Sequence, residues 1–341
     1  MQRIQLGNTV FEGRNDAYVF DGDAGPTTLV DTGVATDGVR DELAEGLAAH
    51  GLSFADVDQI LLTHWHHDHA GLAGEIQAES GATVRVHEAD APMVTEAGMN
   101  HEAEIEQRDL FADWGVPDEK AEELLEFLAI HDEIQGRSPE VEPFGDGATF
   151  AAGDAELEAV HLPGHAAGLT GFAFSGGNGR ELLAGDALLP KYTPNVGGAD
   201  PRVEDPLATY LGSLDRIVEG DYARAWPGHR DPIDDPAGRA REIAAHHRER
   251  TERVVSVLED RGTADAWTVS ADLFGELSNI HIMHGPGEAW AHLDHLERRG
   301  VVDRTDEGYA LAEDDPDLDA VFAGGHGGAA DSPEANASGG D

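Results

Sequence analysis

The chain has 341 residues, 68 acidic against 22 basic side chains, a formal net charge of −46 and no cysteine. Disulfides, thiol catalysis and thiolate metal ligands are therefore excluded, and tight nucleic-acid binding is disfavoured because phosphates would be repelled. The acids run along the whole chain instead of gathering in blocks, so they describe the solvent more than a partner: self-repulsion of this size is screened at molar salt, where the Debye length is about 3 Å, and the expected setting is the salt-saturated cytoplasm of a halophilic archaeon.

The length suits two domains with ample chain for a core. The opening Met1-Gln2-Arg3-Ile4-Gln5 shows no charged-then-apolar leader, and no apolar run approaches membrane-spanning length. A cytoplasmic protein without membrane contact is expected.

Strands are predicted over residues 4–11, 16–21 and 27–31, and a helix over 38–50. Residues 57–62 read as a buried strand, and the loop leaving its carboxyl end is Thr63-His64-Trp65-His66-His67-Asp68-His69-Ala70-Gly71. Three imidazoles and a carboxylate spaced His-x-His-x-Asp-His make a borderline metal site. In α/β layers this strand end is where ligands bind. His64 and His66, two apart in an extended loop, can face one ion; Asp68 and His69 can turn toward a second. Trp65 and His67 alternate with them and are expected to point away, into packing. Gly71 lets the loop close onto a helix over 72–80, followed by a strand over 82–87.

Residues 99–132 read as an acidic helical insertion, with Leu110, Phe111, Trp114, Leu124, Leu125, Phe127 and Leu128 as its apolar face. It either caps the metal cleft or packs as ordinary core, and His101 and His131 are expected at its surface. A strand-rich stretch covers 149–161, 169–175 and 181–184; a helix over 206–219 and a strand over 224–226 follow. Two ions with a water between them need more ligands than the first loop supplies. The candidates lie at further strand ends, each directly after a glycine, where the backbone approaches something closely. They are His165 in Leu162-Pro163-Gly164-His165, Asp186 in Leu182-Leu183-Ala184-Gly185-Asp186, and His229 in Trp226-Pro227-Gly228-His229. The loop after Asp186 carries Lys191 beside Tyr192; Lys120 is the only other lysine. This pair could touch a substrate carboxylate or phosphate, or simply be solvated.

Beyond residue 235 helices are predicted over 237–260, 268–277 and 287–299, then a hairpin from 301–304 and 309–311 around Asp306-Glu307-Gly308. Arg298 and Arg299 end the third helix beside Glu288, Asp294 and Glu297, a poor basic patch. His281, His284, His292 and His295 are expected to be exposed helix and loop histidines, not a metal site. From residue 313 the chain turns acidic and then rich in Gly, Ala and Ser, which reads as a disordered tail.

Val30-Asp31-Thr32-Gly33, the His-x-His-x-Asp-His loop, Gly164-His165, Gly185-Asp186 and Pro227-Gly228-His229, in this order, resemble the metallo-β-lactamase fold superfamily over residues 1–235. The resemblance implies an α+β fold, a four-layer αββα sandwich, and two divalent metal ions, zinc with iron or manganese as alternatives. It implies His64, His66 and His165 on the first ion, Asp68, His69 and His229 on the second, and Asp186 bridging. This ligand set resembles the glyoxalase-II-like branch. The β-lactamases proper use a cysteine where this chain has Asp186, so antibiotic hydrolysis is disfavoured. The C-terminal helices and hairpin, with His246-His247-Arg248 and Ala291-His292-Leu293, resemble the winged-helix module of a subgroup that includes β-lactamase-like endoribonucleases. That module, residues 236–312, is expected to pack on the catalytic domain or on a second copy in a homodimer.

The implied chemistry is attack by a metal-bridging hydroxide on a small thioester, ester or lactone, with Asp68 orienting it. Asp31 either stands behind the ligands or merely turns the chain. A phosphodiesterase or ribonuclease is the alternative, favoured by the winged-helix resemblance and opposed by the charge. An iron-dependent sulfur dioxygenase is a further one. A non-catalytic nucleic-acid-binding or interaction protein on the same fold is disfavoured, because every ligand position is filled.

Overall fold

The computed structural model describes residues 1–7, 14–95, 108–130, 136–314 and 316–322. Six strands form the first sheet in sequence order: β1 (Gln2–Leu6), β2 (Asn15–Phe20), β3 (Thr28–Val30), β4 (Gln59–Leu61), β5 (Thr83–His87) and β6 (Val141–Phe144). The first three pair antiparallel, and β3 to β6 run parallel. The second sheet has the order β11 (Arg224–Pro227), β10 (Gly179–Gly185), β9 (Thr170–Gly176), β8 (Ala155–His161), β7 (Thr149–Ala152). Its pairs are antiparallel except β10 with β11.

β2 is buried at every position because both faces are covered. Side chains alternate across a strand. Ala17 and Val19 therefore enter the core beneath the first helices, and Tyr18 and Phe20 enter the core between the sheets. There they meet Leu157, Ala159, Phe172, Phe174 and Leu183 of the second sheet. Helices close both outer faces. Asp37–Ala48 is capped by Thr36, whose side chain accepts from the Val39 amide, and buries Val39, Leu43 and Leu47 at helical spacing. On the far side Pro206–Glu219 and Pro236–Arg261 cover the second sheet with Leu207, Tyr210, Leu214, Ala240 and Ile243. The layering is the expected one, with two mixed sheets packed face to face between helices.

Several segments differ from expectation. β6 has no counterpart among the predicted strands: Val141-Glu142-Pro143-Phe144 lacks alternation, and its proline is tolerated because β6 is the edge strand. The stretch 149–161 is a hairpin, turned at Gly153 with φ +52°. The third C-terminal helix starts at His281 and runs through Pro286, earlier than the predicted start at 287. The described part of the insertion packs on the C-terminal helices: Phe111, Trp114 and Leu124 share a core with Val254, Leu258, Val269, Leu293 and Leu296. The Trp267 amide donates to the Trp114 carbonyl at 2.8 Å. His101 and His131 lie outside the described residues. The acidic tail is not wholly unstructured: Leu318–Phe322 is a helix with Val321 buried, and Arg248 pairs with Asp319. Among the described residues no helix is long and apolar enough to cross a membrane.

Candidate metal centre

Every expected ligand leaves the carboxyl end of a strand. β4 delivers His64, His66, Asp68 and His69, β8 delivers His165, β10 delivers Asp186 and β11 delivers His229. Drawn from both sheets, they meet in overlapping groups: His64, His66 and His165; His64, His69 and Asp186; Asp68, His69 and His229. All are buried except His66, which is half-buried.

The glycines before them act as the sequence implied. A Cβ on Gly164, whose φ is +139°, would stand 2.5 Å from Tyr210 Cβ. One on Gly228 would stand 2.4 Å from Asp186 Oδ1 and 2.5 Å from His69 Cε1. Gly228→Ala is therefore expected to push Asp186 and His69 apart and empty the site of metal while the cores persist. Metal analysis and circular dichroism of the variant check this; a normal metal content would refute it.

The imidazole side is a tripod. His64 Nε2 lies 3.0 Å from His66 Nδ1, and His165 Nε2 lies 3.1 Å from the same atom. Nitrogen ligands at about 2.0–2.1 Å from a tetrahedral zinc stand about 3.3 Å apart, so the spacing suits one ion. Each ring is held through its other nitrogen. His64 Nδ1 faces Thr63 Oγ1 at 3.0 Å, His66 Nε2 the Ala199 carbonyl at 3.1 Å, and His165 Nδ1 the Asn195 carbonyl at 2.8 Å. His69 Nδ1 faces Asp31 Oδ2 at 2.9 Å. Such contacts fix the tautomer that leaves the inward nitrogen available to a metal.

Asp186 stands between the groups. Its Oδ1 is 3.6 Å from His69 Nε2, and its Oδ2 is 3.4 Å from His229 Nε2 and 3.7 Å from His165 Nε2. Asp68 Oδ2 is 3.3 Å from His229 Nε2 and 3.8 Å from His69 Nε2. Among the described residues His69 Nε2, Asp186 Oδ1 and His229 Nδ1 are buried without a hydrogen-bond partner. An unmet buried polar atom costs about 1–3 kcal/mol, and His69 Nε2 and Asp186 Oδ1 face each other across a gap that a cation would satisfy. The donors fit: nitrogen and oxygen without sulfur suit zinc, iron or manganese. The buried clusters are consistent with a binuclear metal site.

The two sides differ in proton affinity. Burial drives His64 well below the ordinary histidine value, and burial with the charge of His165 takes His66 to about 3. Burial also opposes charge on His69 and His229, but carboxylates win. Asp68, Asp186 and Asp31 raise His69 well above its usual value, and Asp186 with Asp68 raises His229 to about 10. Burial pushes Asp68 and Asp186 upward, yet His69 and His229 hold both below the carboxylate range. His64 and His66 are thus neutral ligands, while the other side demands positive charge beside its carboxylates.

Asp31 proves to do both things left open for it. It turns the chain at φ 58°, and its carboxylate accepts from the Thr63 amide and hydroxyl, each at 2.8 Å, as well as holding His69. Other supports were missed in the sequence. Asn15, bridged to His229 through the backbone, donates to Asp68 Oδ2 at 3.2 Å. Asp200 accepts from Trp65 Nε1 at 3.3 Å and the Ala167 amide at 2.9 Å, tying the first histidine loop to the His165 loop. Arg202 joins Asp200 to Asp90, whose carboxylate takes the Gly168 and Trp65 amides. Trp65 therefore serves in packing, as expected, although its ring lies edge-on to that of His66 with centroids 4.5 Å apart.

The helix His281–Arg298 reaches the site from behind. Glu288 accepts from Asn195 Nδ2 and the Val196 amide, both at 3.0 Å, and from Arg250. This anchors the Asn195 carbonyl that holds His165. His292 and His295 are fully buried, correcting the expectation of exposure; His281 is exposed and His284 half-buried. His292 packs against His247 and Thr251 of Pro236–Arg261, and His295 against Asp205 and Phe322, contacts that no local pattern reveals. His247, Glu288 and His292 form another close group, but Arg250 already supplies the cation there. Glu288→Ala leaves that guanidinium buried without a counter-charge, and a loss of about 3–5 kcal/mol is expected, measurable by urea unfolding at high salt. Lys191 and Tyr192 are exposed and join none of the ligand groups; Lys191 Nζ lies 5.1 Å from the Tyr192 ring centroid.

The sequence model of the metallo-beta-lactamase superfamily matches residues 10–229, a span that takes in every candidate ligand. The "Probable metallo-hydrolase YqjP" of Bacillus subtilis (strain 168) is 30% identical over 293 residues, 84% of this chain and 88% of that protein. The "Beta-lactamase-like protein 2 homolog" of Drosophila melanogaster is 26% identical over 261 residues, 73% of this chain and 71% of that protein. A crystallised metallo-beta-lactamase family protein of Thermus thermophilus superposes with a TM-score of 0.78 at 32% identity, over 91% of this chain and 97% of that one. A beta-lactamase domain protein from Burkholderia ambifaria, at 23% identity and a TM-score of 0.73, shares the fold over 91% of each chain. Matches of this span and identity, on a chain whose strand ends gather the expected histidines and aspartates, make it a member of the metallo-beta-lactamase superfamily.

Proposed function

We propose that the chain is a metal-dependent hydrolase that cleaves a small thioester, ester or lactone. His64, His66 and His165 would hold one divalent ion, Asp68, His69 and His229 the other, and Asp186 would serve both. The observation that carries this reading is the set of imidazoles held from outside with their remaining nitrogens turned inward, those of His64, His66 and His165 onto one another and those of His69 and His165 onto Asp186. A bound pair of ions supplies a water that loses its proton near neutral pH and an electrophile for the substrate carbonyl. The chain does the rest. Asp68, steadied by Asn15, accepts a hydrogen bond from the attacking water and orients it. Asp31 keeps His69 in one tautomer. Burial of the carboxylates keeps bulk water from competing. We take zinc as the metal, within a donor set that also suits iron and manganese.

The helices Pro236–Arg261, Ala266–Phe274 and His281–Arg298 and the hairpin of β12 (Val302–Thr305) with β13 (Gly308–Leu311) support the reading of a winged-helix-like module. We assign it a packing role. Arg298 is paired with Asp294 at 2.7 Å and Arg299 with Asp205 at 3.4 Å, which leaves the helix end a weak phosphate binder.

Protein refolded with zinc at molar salt should contain close to two ions per chain and hydrolyse members of a thioester, ester and lactone panel, with Asp68→Ala inactive. Cleavage of a labelled RNA, with the panel untouched, would replace this reading by the ribonuclease one. No bound metal would end both.

A further inference from the structure

The cations of this acidic chain are not spread evenly. A cleft of about 1100 Å³ is lined by Lys191, Arg230, Arg239 and Arg250, against only Glu242 and Glu249 among its acids. In the whole chain acids outnumber bases 68 to 22; here, with Arg250 committed to Glu288 and Arg239 paired with Glu242, Lys191 and Arg230 still face only Glu249 among the lining acids. The cations are also gathered. Lys191 Nζ and Arg230 Cζ lie 5.1 and 4.8 Å from the ring centroid of Tyr192, which is 45% exposed. Arg239 donates to the carbonyls of Leu189 and Tyr192, at 2.8 and 3.0 Å, and so fixes the loop that carries Lys191.

The cleft adjoins the metal residues along several paths. Arg230 directly follows His229, with a left-handed φ of 69°. The Lys191 loop continues the segment that begins at Asp186. His284, on the cleft wall, takes Asn195 Nδ2 on its carbonyl at 2.9 Å, and Asn195 is the residue that holds His165. Burial and the nearby charge of His165 keep His284 neutral, with its pKa near 3.

We propose that this cleft holds a carboxylate or phosphate group that the substrate carries away from its scissile bond. The inference rests on the hydrolytic reading and names its substrate class: an anionic acyl thioester or ester, not a neutral one. At molar salt a Debye length of about 3 Å erases long-range steering. Only direct contacts then select an anion, and lysine and arginine hydrogen bonds to one are the strong kind.

The test uses thioesters of one acyl group whose leaving groups end in a phosphate, a carboxylate or a neutral amide, assayed with metal-loaded protein in molar KCl. KM for an anionic member should lie about tenfold below that of the neutral one, and the better of the two anionic arms identifies the group. Lys191→Gln and Arg230→Gln should each raise that KM about tenfold with little change in kcat, and Lys191→Arg should restore it. Arg180→Gln, at the opposite end of β10, should change nothing. Equal KM values for all three thioesters would overturn the inference and leave the hydrolase reading standing. If none of the three thioesters is turned over, the KM comparison gives no value and calorimetry decides on the cleft alone. Inorganic pyrophosphate titrated into metal-free protein in molar KCl should bind, and should fail to bind a Lys191→Gln/Arg230→Gln double variant. No binding to the unaltered chain would overturn the inference.

Discussion

Asp186→Asn should lower hydrolysis by at least about a thousandfold and reduce the metal content below two ions per chain. The amide has the same shape and keeps one oxygen. It loses the charge, and it cannot offer an anionic oxygen to both sides. In the native chain the two oxygens of Asp186 are divided: Oδ1 faces His69 Nε2, and Oδ2 faces His229 Nε2 and His165 Nε2. His69 and His229 draw their positive demand from Asp68 and Asp186 together. Removing one carboxylate weakens the hold on an ion and leaves the attacking water less acidic, and losses of 10²–10³ or more are usual when one transition-state stabiliser is removed. Asp31→Asn, one bond further out, should cost about 10- to 100-fold, the range for residues that orient a ligand. Metal analysis alongside kcat/KM separates the two. An Asp186→Asn protein with two ions and ordinary turnover would sink the shared-carboxylate assignment.

The difference between these aspartates explains what the sequence could show. His64, His66, His165 and His229 were legible because His64, His66 and His69 crowd into six residues with Asp68 and each candidate sits at a strand end; Gly164, Gly185 and Gly228 then marked where side chains cannot fit. The absence of cysteine narrowed the donors further. The supporting carboxylates had no such contrast. Asp90, Asp200 and Glu288 decide how the ligand loops are tied together, yet they are three acids among 68. An amino acid selected everywhere for solvent reasons carries little information anywhere. Asn15 was invisible for another cause: its contact with Asp68 depends on an isolated pairing with His229, far away in the chain. Most strand positions followed from apolar runs, whereas β6, the start of the helix at His281 and the docking of Leu318–Phe322 depend on neighbours that local patterns do not encode.

The same excess of acid sets the second large effect. Dilution from about 3 M to 0.1 M KCl should lower the melting temperature by tens of degrees and unfold the chain at the lower salt. Two like charges 10 Å apart in water repel by about 0.4 kcal/mol. At 0.1 M salt the Debye length is about 10 Å, so such pairs still act; at molar salt it is about 3 Å, and they do not. A few dozen such pairs equal the whole net stability of a domain, about 5–15 kcal/mol, and the formal charge is −46. The ion pairs do not offset this. Arg180–Glu158, Arg216–Asp146 and Arg261–Asp272 are solvent-exposed, and pairs of that kind contribute about 0–1 kcal/mol each. The unfolded chain carries the same charge but spreads it over a larger volume, so repulsion acts mainly on the native state. The cause is screening, not hydration, and two controls follow from that. Sucrose at matched molarity should fail to replace KCl. Asp41→Asn with Glu45→Gln, an exposed like-charged pair one turn apart on Asp37–Ala48, should move the folding midpoint to lower salt. A melting temperature that stays the same from molar to dilute KCl would show that the acids are paired or distant enough not to matter, and that the charge has some other purpose.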